Sequence, residues 1–544
     1  MVETARSEFA ERHYARGAWR RSETFTDDLK RLAREMPDRL ALATHFWKTS
    51  DGPDVTLTYA ELAERVDRVA AALVDLGVER GDRVANQVGN QWQSNVVILA
   101  CARIGAVVVA YHVATVPADM ELILADSGAK VAVSLARFGD QQTAEIIAGL
   151  RKTVPTLEHQ IVVGGPVPEG ALDFDTDILG TACEPRHELD SRAPSPDDLF
   201  EITYTSGTTG RPKGVMHSYN SLYACTLAFN EPMGIGPDDV ISTPAAVGGL
   251  AGFVYSVTCP LLCGAAAVWT DSWDPHEVLE TMSRYEVTIA YFVPPLLVTF
   301  LETQEAERRP LALRRLVAGS APIPPTLPAD VRRVFGLPLH PLWGMTENGS
   351  VTLGFPGDPD DWAVHSDGRP VDWMELRLVD DDGNDVPAGE PGRLWTRGAN
   401  QCLGYFGAED QYAQLLTGEW FETGDVARPD GRGGIKIIGR TKDMINKGGL
   451  HIPAGTVEKI LFGHPHIRDV AVVGEKDPVL GEVPVAFVVA QGGTPTLDEA
   501  RQLVFDAGLN PGFAPDALEI IDALPRNNNG KVLKRDLRRP NAGS

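Results

Sequence analysis

The chain has 544 residues, 43% hydrophobic and 23% charged, an ordinary globular composition that excludes an intrinsically disordered or collagen-like protein. Its 75 acidic and 50 basic residues leave a formal charge of −25, which argues against general binding to nucleic acids or membrane surfaces because like charges repel. From residue 442 onward the chain is nearly neutral, with 12 basic and 13 acidic residues. This part can approach a polyanionic ligand, or it simply carries fewer surface carboxylates.

The sequence predicts neither a targeting signal nor a membrane-spanning segment. The first 21 residues mix acids and bases without an apolar stretch, unlike a signal peptide, and Arg103 and Gly105 interrupt the apolar stretch 96–113. The six cysteines are scattered without a CxxC pair, which argues against a zinc site or a disulfide framework. We therefore expect a soluble, reduced, cytoplasmic protein.

The first two thirds of the chain alternate between helical and strand patterns. A capping box at Thr58 and Glu61 predicts the start of an amphipathic helix that ends at Gly77. Further helices are predicted at 92–104, 117–126 and 275–285, and strands at 83–87, 106–110, 130–134, 160–163, 240–243, 265–269, 288–292 and 316–318. Such alternation predicts parallel sheets that are covered by helices.

The pattern changes twice toward the C-terminus. From about Val371, strands at 375–379 and 392–397 around the turn 381–384 predict a hairpin-rich β subdomain. Beyond Gly439, strands at 469–473 and 484–489 and a helix at 497–507 predict a compact α+β unit. The predicted fold class is α/β, with a large N-terminal domain (residues 1–440) of two sheet-and-helix subdomains plus a β-rich one, and a small C-terminal α+β domain (residues 441–544).

The strongest chemical signal is the segment 204–214, Tyr-Thr-Ser-Gly-Thr-Thr-Gly-Arg-Pro-Lys-Gly, which follows an apolar strand. Its glycines let backbone N–H groups face a phosphate, and hydroxyls and a lysine add donors. The spacing differs from GxxxxGK[ST], which excludes a P-loop NTPase, and a flexible linker is disfavoured because linkers seldom follow a buried strand. The predicted phosphate-binding residues are Thr205, Ser206, Gly207, Thr208, Thr209, Gly210 and Lys213.

Four more motifs follow in order, at 343–347, 420–425, 439–443 and 525–531. Together with the loop they resemble the adenylate-forming superfamily of acyl-CoA and aryl-CoA synthetases, luciferases and nonribosomal adenylation domains. The segments 215–218 and 273–275 are most similar to the cycloaliphatic and medium-chain acyl-CoA ligases. The resemblance implies two steps with ATP and Mg²⁺: an acid forms an acyl-adenylate and pyrophosphate, and then a nucleophile, usually the CoA thiol, displaces AMP while the C-terminal domain rotates.

The resemblance also implies residue roles. A carboxylate suits two ribose hydroxyls, one carboxylate with phosphate oxygens suits Mg²⁺, and an indole offers a flat face to a base. The implied roles are adenine contact for Gly319, Ser320, Ala321, Pro322, Trp343, Gly344 and Met345; magnesium and phosphate chemistry for Thr346 and Glu347, with Glu347 as the metal ligand; ribose or phosphate contact for Asp425 and Arg440; a hinge at Lys442; a nucleophile tunnel at Gly448 and Gly449; and a bridge between the acid and the α-phosphate for Lys531.

The predicted acid pocket departs from the family pattern. It comprises Val247, Gly248, Gly249 and Phe253, and Val247 stands where many relatives have a histidine or an aromatic residue. Its apolar lining favours an apolar organic acid, cyclic acids included. Tyr219 also stands where a histidine is frequent, and the segment 450–456, which contains His451, replaces a common family pattern.

These departures leave the acceptor open. A CoA ligase is favoured, and the alternative is transfer to a non-CoA acceptor, such as an ATP- and nitrite-dependent diazotase that acts on an aryl amine. An inactive scaffold relative is disfavoured because all the ionisable motif residues are present, namely Lys213, Glu347, Asp425, Arg440 and Lys531. The sequence does not determine the acid or the oligomeric state, a homodimer being one possibility.

Overall fold

Strand and helix alternation is borne out by the computed structural model, which describes residues 2–49, 52–180, 188–205, 212–526 and 532–537. The predicted capping box is an example. The Thr58 hydroxyl accepts from the Glu61 N–H at 3.2 Å, and the Glu61 carboxylate accepts from the Thr58 N–H at 2.8 Å. A helix therefore begins at the next residue, Tyr59.

Helices cover the faces of the large sheets. Within the described ranges the α-helices are α1 (Val2–Ala15), α2 (Phe25–Glu35), α3 (Tyr59–Asp75), α4 (Trp92–Ile104), α5 (Pro117–Ser127), α6 (Thr143–Leu150), α7 (Glu188–Ser191), α8 (Tyr219–Met233), α9 (Leu250–Phe253), α10 (Cys259–Cys263), α11 (Pro275–Arg284), α12 (Pro294–Glu307), α13 (Leu327–Phe335), α14 (Trp362–His365), α15 (Glu409–Ala413), α16 (Ala454–Leu461) and α17 (Leu497–Asp506).

Four sheets are built from the strands. Within the same ranges these are β1 (Leu40–His45), β2 (Val55–Thr58), β3 (Arg83–Gln87), β4 (Val107–Ala110), β5 (Val131–Leu135), β6 (His159–Val163), β7 (Leu172–Asp173), β8 (Leu199–Thr205), β9 (Lys213–Ser218), β10 (Val240–Ser242), β11 (Ala266–Thr270), β12 (Ile289–Phe292), β13 (Arg315–Gly319), β14 (Leu339–Met345), β15 (Gly349–Leu353), β16 (Arg369–Pro370), β17 (Met374–Val379), β18 (Gly392–Gly398), β19 (Gly404–Tyr405), β20 (Leu416–Thr417), β21 (Trp420–Pro429), β22 (Ile435–Arg440), β23 (Met444–Lys447), β24 (Leu450–Pro453), β25 (Ile467–Asp477), β26 (Gly481–Ala490) and β27 (Ala517–Ile520).

Two large sheets form the N-terminal part. The nine-stranded sheet has the order β16-β15-β14-β13-β12-β10-β11-β1-β2, and the eight-stranded sheet the order β19-β9-β8-β4-β3-β5-β6-β7. Pairing is parallel in the middle of both sheets and antiparallel toward the edges that carry β15 and β9. The predicted parallel sheets with covering helices are confirmed.

Two smaller sheets complete the chain. The small antiparallel sheet joins β17, β18, β21 and β20, with β22 paired to β21, as the hairpin pattern after Val371 predicts. The C-terminal sheet has the order β24-β23-β26-β25, and β27 pairs with β26 in parallel. Helices α16 and α17 pack on it, so the residues after β22 form a compact α+β unit. No helix in the described part of the chain is long and apolar enough to cross a membrane.

Candidate functional site

The candidate site lies where three sheets meet. The hairpin of β8 and β9 brings Thr205 opposite Lys213, on either side of the loop 206–211. Strand β14 of the nine-stranded sheet ends at Met345, and the next turn holds Thr346 and Glu347. Motifs that are far apart in the sequence are therefore positioned by strand ends, where parallel sheets commonly bind ligands.

Asp425 is the centre of the predicted ribose contact. It lies opposite Arg440 in the β21–β22 pair, and its Oδ1 accepts from Arg440 Nε at 2.8 Å. Its Oδ2 accepts from Trp343 Nε1 at 3.0 Å, although the carboxylate is only 5% exposed. Each carboxylate oxygen keeps lone-pair capacity, so this group can still accept from two neighbouring hydroxyls.

Glu347 is held at both ends. Its backbone carbonyl accepts from the Cys402 N–H at 2.8 Å, and its side-chain Oε1 accepts from the Tyr405 hydroxyl at 2.7 Å. We call Trp343, Glu347, Tyr405, Asp425 and Arg440 the nucleotide cluster. Tyr405 contacts only Oε1 of Glu347, and no hydrogen bond from the described residues to Oε2 is seen, so Oε2 can meet a cation.

The turn that carries Glu347 is also held from the eight-stranded sheet. His217 Nε2 lies 2.7 Å from the carbonyl oxygen of Thr346, and its Nδ1 lies 3.0 Å from Ser221 Oγ. Complete burial lowers the pKa of His217 to about 4, so the ring is neutral at pH 7. Because a carbonyl can only accept, Nε2 carries the proton and Nδ1 accepts from the Ser221 hydroxyl.

Lys213 contacts the ring of Tyr405, whereas Glu347 contacts its hydroxyl. Its Nζ is 4.8 Å from the centroid of the Tyr405 ring, within range of a cation–π contact. Among the described residues Lys213 and Glu347 are not paired with each other, and each contacts Tyr405 instead. One aromatic side chain thus contacts both a predicted phosphate-binding cation and a predicted metal ligand.

The predicted adenine turn begins where β13 ends. A Cβ on Gly319 would lie 2.6 Å from the carbonyl oxygen of Leu342, so the close approach of β14 requires glycine. Ser320 has a φ of 67°, a left-handed conformation that is rare for a residue with a Cβ, and its Oγ lies 2.7 Å from Tyr291 Oη. Strain of this kind often marks a ligand-binding turn. Ser320 and Pro322 are exposed and Ala321 is half-buried.

Backbone crowding also fixes the start of the magnesium motif. A Cβ on Gly344 would lie 1.8 Å from the carbonyl oxygen of Gly349 across the β14–β15 turn. The Met345 N–H donates to Asn348 Oδ1 at 3.1 Å, and Asn348 is itself held by Thr396. The turn from Met345 to Asn348 is consequently braced without any ligand.

The predicted acid pocket lies against the end of β4. A Cβ on Gly248 would lie 2.3 Å from the carbonyl oxygen of Tyr111, and the Val247 N–H donates to Asn90 Oδ1 at 2.9 Å. Val247 is 3% exposed, whereas a Cβ on Gly249 would meet only the Ala246 carbonyl oxygen, at an ordinary contact distance of 3.7 Å. Phe253 is fully buried, with its ring 5.7 Å from that of Phe200, so it supports this loop from behind.

The predicted hinge and tunnel residues follow the small antiparallel sheet. Lys442 is exposed in the 3₁₀ turn Thr441–Asp443, between the last strand of that sheet and β23. Gly448 and Gly449 form the β23–β24 turn with φ values of 59° and 88°, which favour glycine. The backbone of His451 lies in β24 opposite Asn446.

Several predicted residues lie outside the described part of the chain. They are Ser206, Gly207, Thr208, Thr209, Gly210 and Lys531. Their roles remain predictions. The structure describes the residues Thr205 and Lys213, which are paired in the strands that flank the loop.

Tyr405 and His217 are the contacts that sequence reasoning missed. Tyr405 is separated from Glu347 by 58 positions, and it reaches the site because β19 pairs with β9, with Tyr405 opposite Val215. Nothing local in the sequence specifies that pairing. His217 could have been found as a histidine in an apolar strand three residues after the Gly214 of the loop.

A metal ion would have to rely on few protein ligands. Among the residues that the structure describes, no three or more His, Cys, Asp and Glu side chains are grouped to hold one. Glu347, partly exposed beside the Thr346 hydroxyl and fixed through one oxygen, fits Mg²⁺, which commonly takes one or two carboxylates together with substrate phosphates.

Comparison with known families agrees with the motifs. The family model described as AMP-binding enzyme matches residues 29–406, and the model described as AMP-binding enzyme C-terminal domain matches residues 456–531. The resemblance inferred from the five motifs is therefore confirmed.

Individual relatives cover nearly the whole chain. The medium-chain fatty-acid–CoA ligase of Escherichia coli (strain K12) is 30% identical over 95% of this chain and 90% of its own. The anthranilate CoA ligase AuaEII in complex with anthranoyl-AMP superposes with a TM-score of 0.84 at 27% identity, covering 95% of this chain and 97% of its own. The amide bond synthetase McbA from Marinactinospora thermotolerans gives 0.83 at 28% identity, covering 94% and 99%. These similarities extend over both the large N-terminal part and the C-terminal unit.

Proposed function

The chain belongs to the AMP-binding enzymes, adenylate-forming ligases of the acid–thiol type, and on this premise we propose that it activates an apolar carboxylic acid with ATP and transfers the acyl group to CoA. The first step forms an acyl-adenylate and pyrophosphate. In the second step the CoA thiol attacks the acyl carbon and AMP leaves. The proposed location is the cytoplasm, where ATP and CoA are available.

The arrangement at Asp425 is the observation that carries the proposal. A buried carboxylate accepts from the Trp343 indole N–H and from Arg440, and both of its oxygens keep lone-pair capacity for neighbouring hydroxyls. A ribose offers such a pair of hydroxyls, and an indole can stack on the attached base. Asp425 and Arg440 also stand opposite each other on paired strands, an arrangement that supports the proposed ribose contact because it would need little rearrangement.

The phosphates would lie between Lys213 and Glu347. Lys213 supplies positive charge for the departing pyrophosphate, and the turn of Thr346 and Glu347 is fixed by His217 and Tyr405. Mg²⁺ bound with ATP would neutralise phosphate charge, and Glu347 is the residue that would hold it. Preformed charges of this kind need little reorganisation when the acid oxygen attacks the α-phosphorus.

The acid would lie beside the loop of Val247 and Gly248. Asn90 fixes the backbone of this loop, and the buried Val247 presents a short apolar side chain. Relatives bear names for acids as different as medium-chain fatty acids and anthranilate, so the family alone sets no single acid. An apolar acid fits the residues of this loop.

The proposed domains are residues 1–440 and residues 441–544. We propose that the second one rotates about Lys442 before the transfer step. The exposed turn at Lys442 is a short connection that can absorb backbone rotation. Lys531, from the C-terminal unit, would act during adenylation, and Gly448 and Gly449 would border the path of the thiol afterwards.

Pyrophosphate release with ATP and Mg²⁺ tests the proposal directly. The panel contains aliphatic, cyclic and aromatic acids, each with CoA, with an amine or with neither, and nitrite with an aryl amine. We expect an organic acid to drive AMP and pyrophosphate formation and CoA to give the acyl thioester. Turnover that needs an amine or nitrite instead of CoA would contradict the proposed acceptor but not the adenylation.

A lysine variant tests the two steps separately. We expect Lys531→Ala to lose nearly all adenylation and to keep thioester formation from supplied acyl-adenylate. Lys534→Ala is the matched control, because Lys534 is a neighbouring lysine whose Nζ pairs with Glu458 of the same C-terminal unit at 2.6 Å. Equal loss of both half-reactions in Lys531→Ala would contradict its assigned role.

A further inference from the structure

Tyr405 connects two parts of the site that belong to different sheets. It lies on β19, which extends the eight-stranded sheet beyond β9, and it is 3% exposed. Its hydroxyl is 2.7 Å from Glu347 Oε1 in the turn after β14, and its ring centroid is 4.8 Å from Lys213 Nζ on β9.

The chemistry of each contact has a definite direction. An ionised carboxylate only accepts hydrogen bonds, so the phenol is the donor to Glu347. Burial, together with the negative charge of Glu347, raises the pKa of Tyr405, so the phenol keeps its proton. An ammonium group is attracted to the face of the ring by the ring quadrupole.

Through these two contacts the oppositely charged side chains of Lys213 and Glu347 each bind Tyr405 instead of each other. A direct ion pair between Lys213 and Glu347 would neutralise both groups before ATP arrives, and it would have to break on binding. In the structure each group instead contacts a different portion of one neutral side chain. One oxygen of Glu347 is occupied by the hydroxyl, and the other can face a cation.

We propose that Tyr405 is a positioning residue that sets Glu347 for the metal through its hydroxyl and Lys213 for the phosphates through its ring. The inference rests on the proposed function only in its use of ATP with Mg²⁺. Two separate effects follow, one for the hydroxyl and one for the ring.

Equilibrium binding of ATP by calorimetry separates the two effects. ATP is titrated first in EDTA and then over a series of MgCl₂ concentrations. Tyr405→Phe removes only the hydroxyl, so we expect ATP affinity in EDTA to stay within about twofold and the half-saturating Mg²⁺ concentration to rise about tenfold, as expected for one lost hydrogen bond to a charged group. Tyr405→Leu also removes the ring, and we expect ATP affinity to fall about tenfold even in EDTA.

Tyr412→Phe is the matched control. Tyr412 packs edge-on against Tyr405 with ring centroids 5.3 Å apart, and its hydroxyl donates to the Cys402 carbonyl at 3.3 Å instead of to Glu347. We expect its Mg²⁺ dependence to match that of the unmodified protein. A purely structural role of this aromatic pair would shift the thermal midpoint of both Phe variants without a selective change in the Mg²⁺ dependence of Tyr405→Phe.

The inference is overturned if Tyr405→Phe keeps the Mg²⁺ curve of the unmodified protein, if Tyr412→Phe shifts it equally, or if Mg²⁺ does not strengthen ATP binding at all. The pyrophosphate panel reports on the proposed function separately. If the selective Mg²⁺ effect is found but no acid releases pyrophosphate, the proposed function fails while the role of Tyr405 stands.

Discussion

The nucleotide cluster and the C-terminal unit, residues 444–537, are built in opposite ways. In the cluster, side chains from three sheets bond to one another: Asp425 to Trp343 and Arg440, and Glu347 to Tyr405. The C-terminal unit has its own sheet and an apolar core within its own elements, which includes Leu461. One region depends on contacts between distant segments, and the other depends mainly on itself.

The connection between the N-terminal part, which holds the nucleotide cluster, and the C-terminal unit is consistent with this difference. The connection runs through the exposed turn Thr441–Asp443, and α16 reaches the N-terminal part through contacts such as the 3.4 Å hydrogen bond from Lys459 Nζ to the Val364 carbonyl. A unit with its own core can change orientation without losing that core. In the proposed mechanism the groups that we assign to adenylation are therefore held by contacts present before ATP binds, whereas the groups that we assign to transfer would be brought in by motion of the C-terminal unit.

Asp425→Ala should break the fixed region most severely. It removes the hydrogen-bond acceptor of Trp343 and Arg440 together with the proposed acceptor of the ribose hydroxyls. We therefore expect kcat/KM for ATP to fall about a thousandfold, about 4 kcal/mol for two or more charge-assisted bonds. Steady-state pyrophosphate release measures it. Asp381→Ala is the control, since Asp381 is fully exposed in a turn of the same small sheet. Similar losses in both variants would show that the small sheet, and not this carboxylate, matters.

Gly248→Ala asks whether the acid loop is as rigid as the nucleotide cluster. The added Cβ would lie 2.3 Å from the Tyr111 carbonyl oxygen, so backbone must shift, and we expect a loss of about 2 kcal/mol in the free energy of unfolding. Urea denaturation measures this loss. Gly249→Ala is the neighbouring control, because its nearest contact is 3.7 Å and its φ is −129°, and we expect a change of about 0.5 kcal/mol or less. Equal losses would contradict a tight fit specific to Gly248.

Lys442→Pro tests whether the turn at Lys442 acts as the proposed hinge. Proline fixes φ, so we expect pyrophosphate release in the first turnover to be retained and thioester formation to slow about tenfold. Lys442→Ala, which keeps backbone freedom, is the control and should retain both steps. Rapid-quench measurement of each half-reaction tests this, and an unchanged overall turnover in Lys442→Pro would remove the hinge from the account.

Glu201→Gln should leave the candidate site unchanged and alter the pH dependence of stability. Burial raises the pKa of Glu201 on β8 to about 8, and its Oε2 has no hydrogen-bond partner in the described part of the chain. From about pH 4.5, the ordinary value, to pH 8 the folded state therefore binds more protons than the unfolded state, and stability falls as the pH rises. The glutamine variant should flatten this fall by about 1 kcal/mol per pH unit, measured by denaturation between pH 5 and 8. Parallel curves for the two proteins would contradict a protonated Glu201.

Local patterns in the sequence predict many of the longer helices and strands, but not all of them: α8 and α12, for example, are not predicted. The capping box at Thr58 and the β-branched runs set helices and strands by short-range chemistry, and the predicted helix at 92–104 coincides with α4. Two-residue strands escape such reasoning: β19 exists only because it pairs with β9. Tyr405, which that strand carries to Glu347, could therefore not be predicted.

The site shows the same division. Asp425 and Arg440 could be named from motifs, and their mutual bond follows from a β21–β22 register that the sequence does not state. The left-handed Ser320 and the buried, neutral His217 depend on neighbours from distant segments. The sequence identifies which residues have suitable chemistry, whereas tertiary packing determines their hydrogen-bond partners and their protonation states.

The central claim is that this chain forms an acyl-adenylate from a free acid before any acceptor is needed. Exchange of labelled pyrophosphate into ATP, measured with Mg²⁺ and each acid but without CoA or amine, tests this claim most directly. We expect exchange that requires an acid, is lost in Asp425→Ala and is retained in Lys442→Pro. Exchange that is absent with every acid, or ATP cleavage to ADP and phosphate instead, would contradict it.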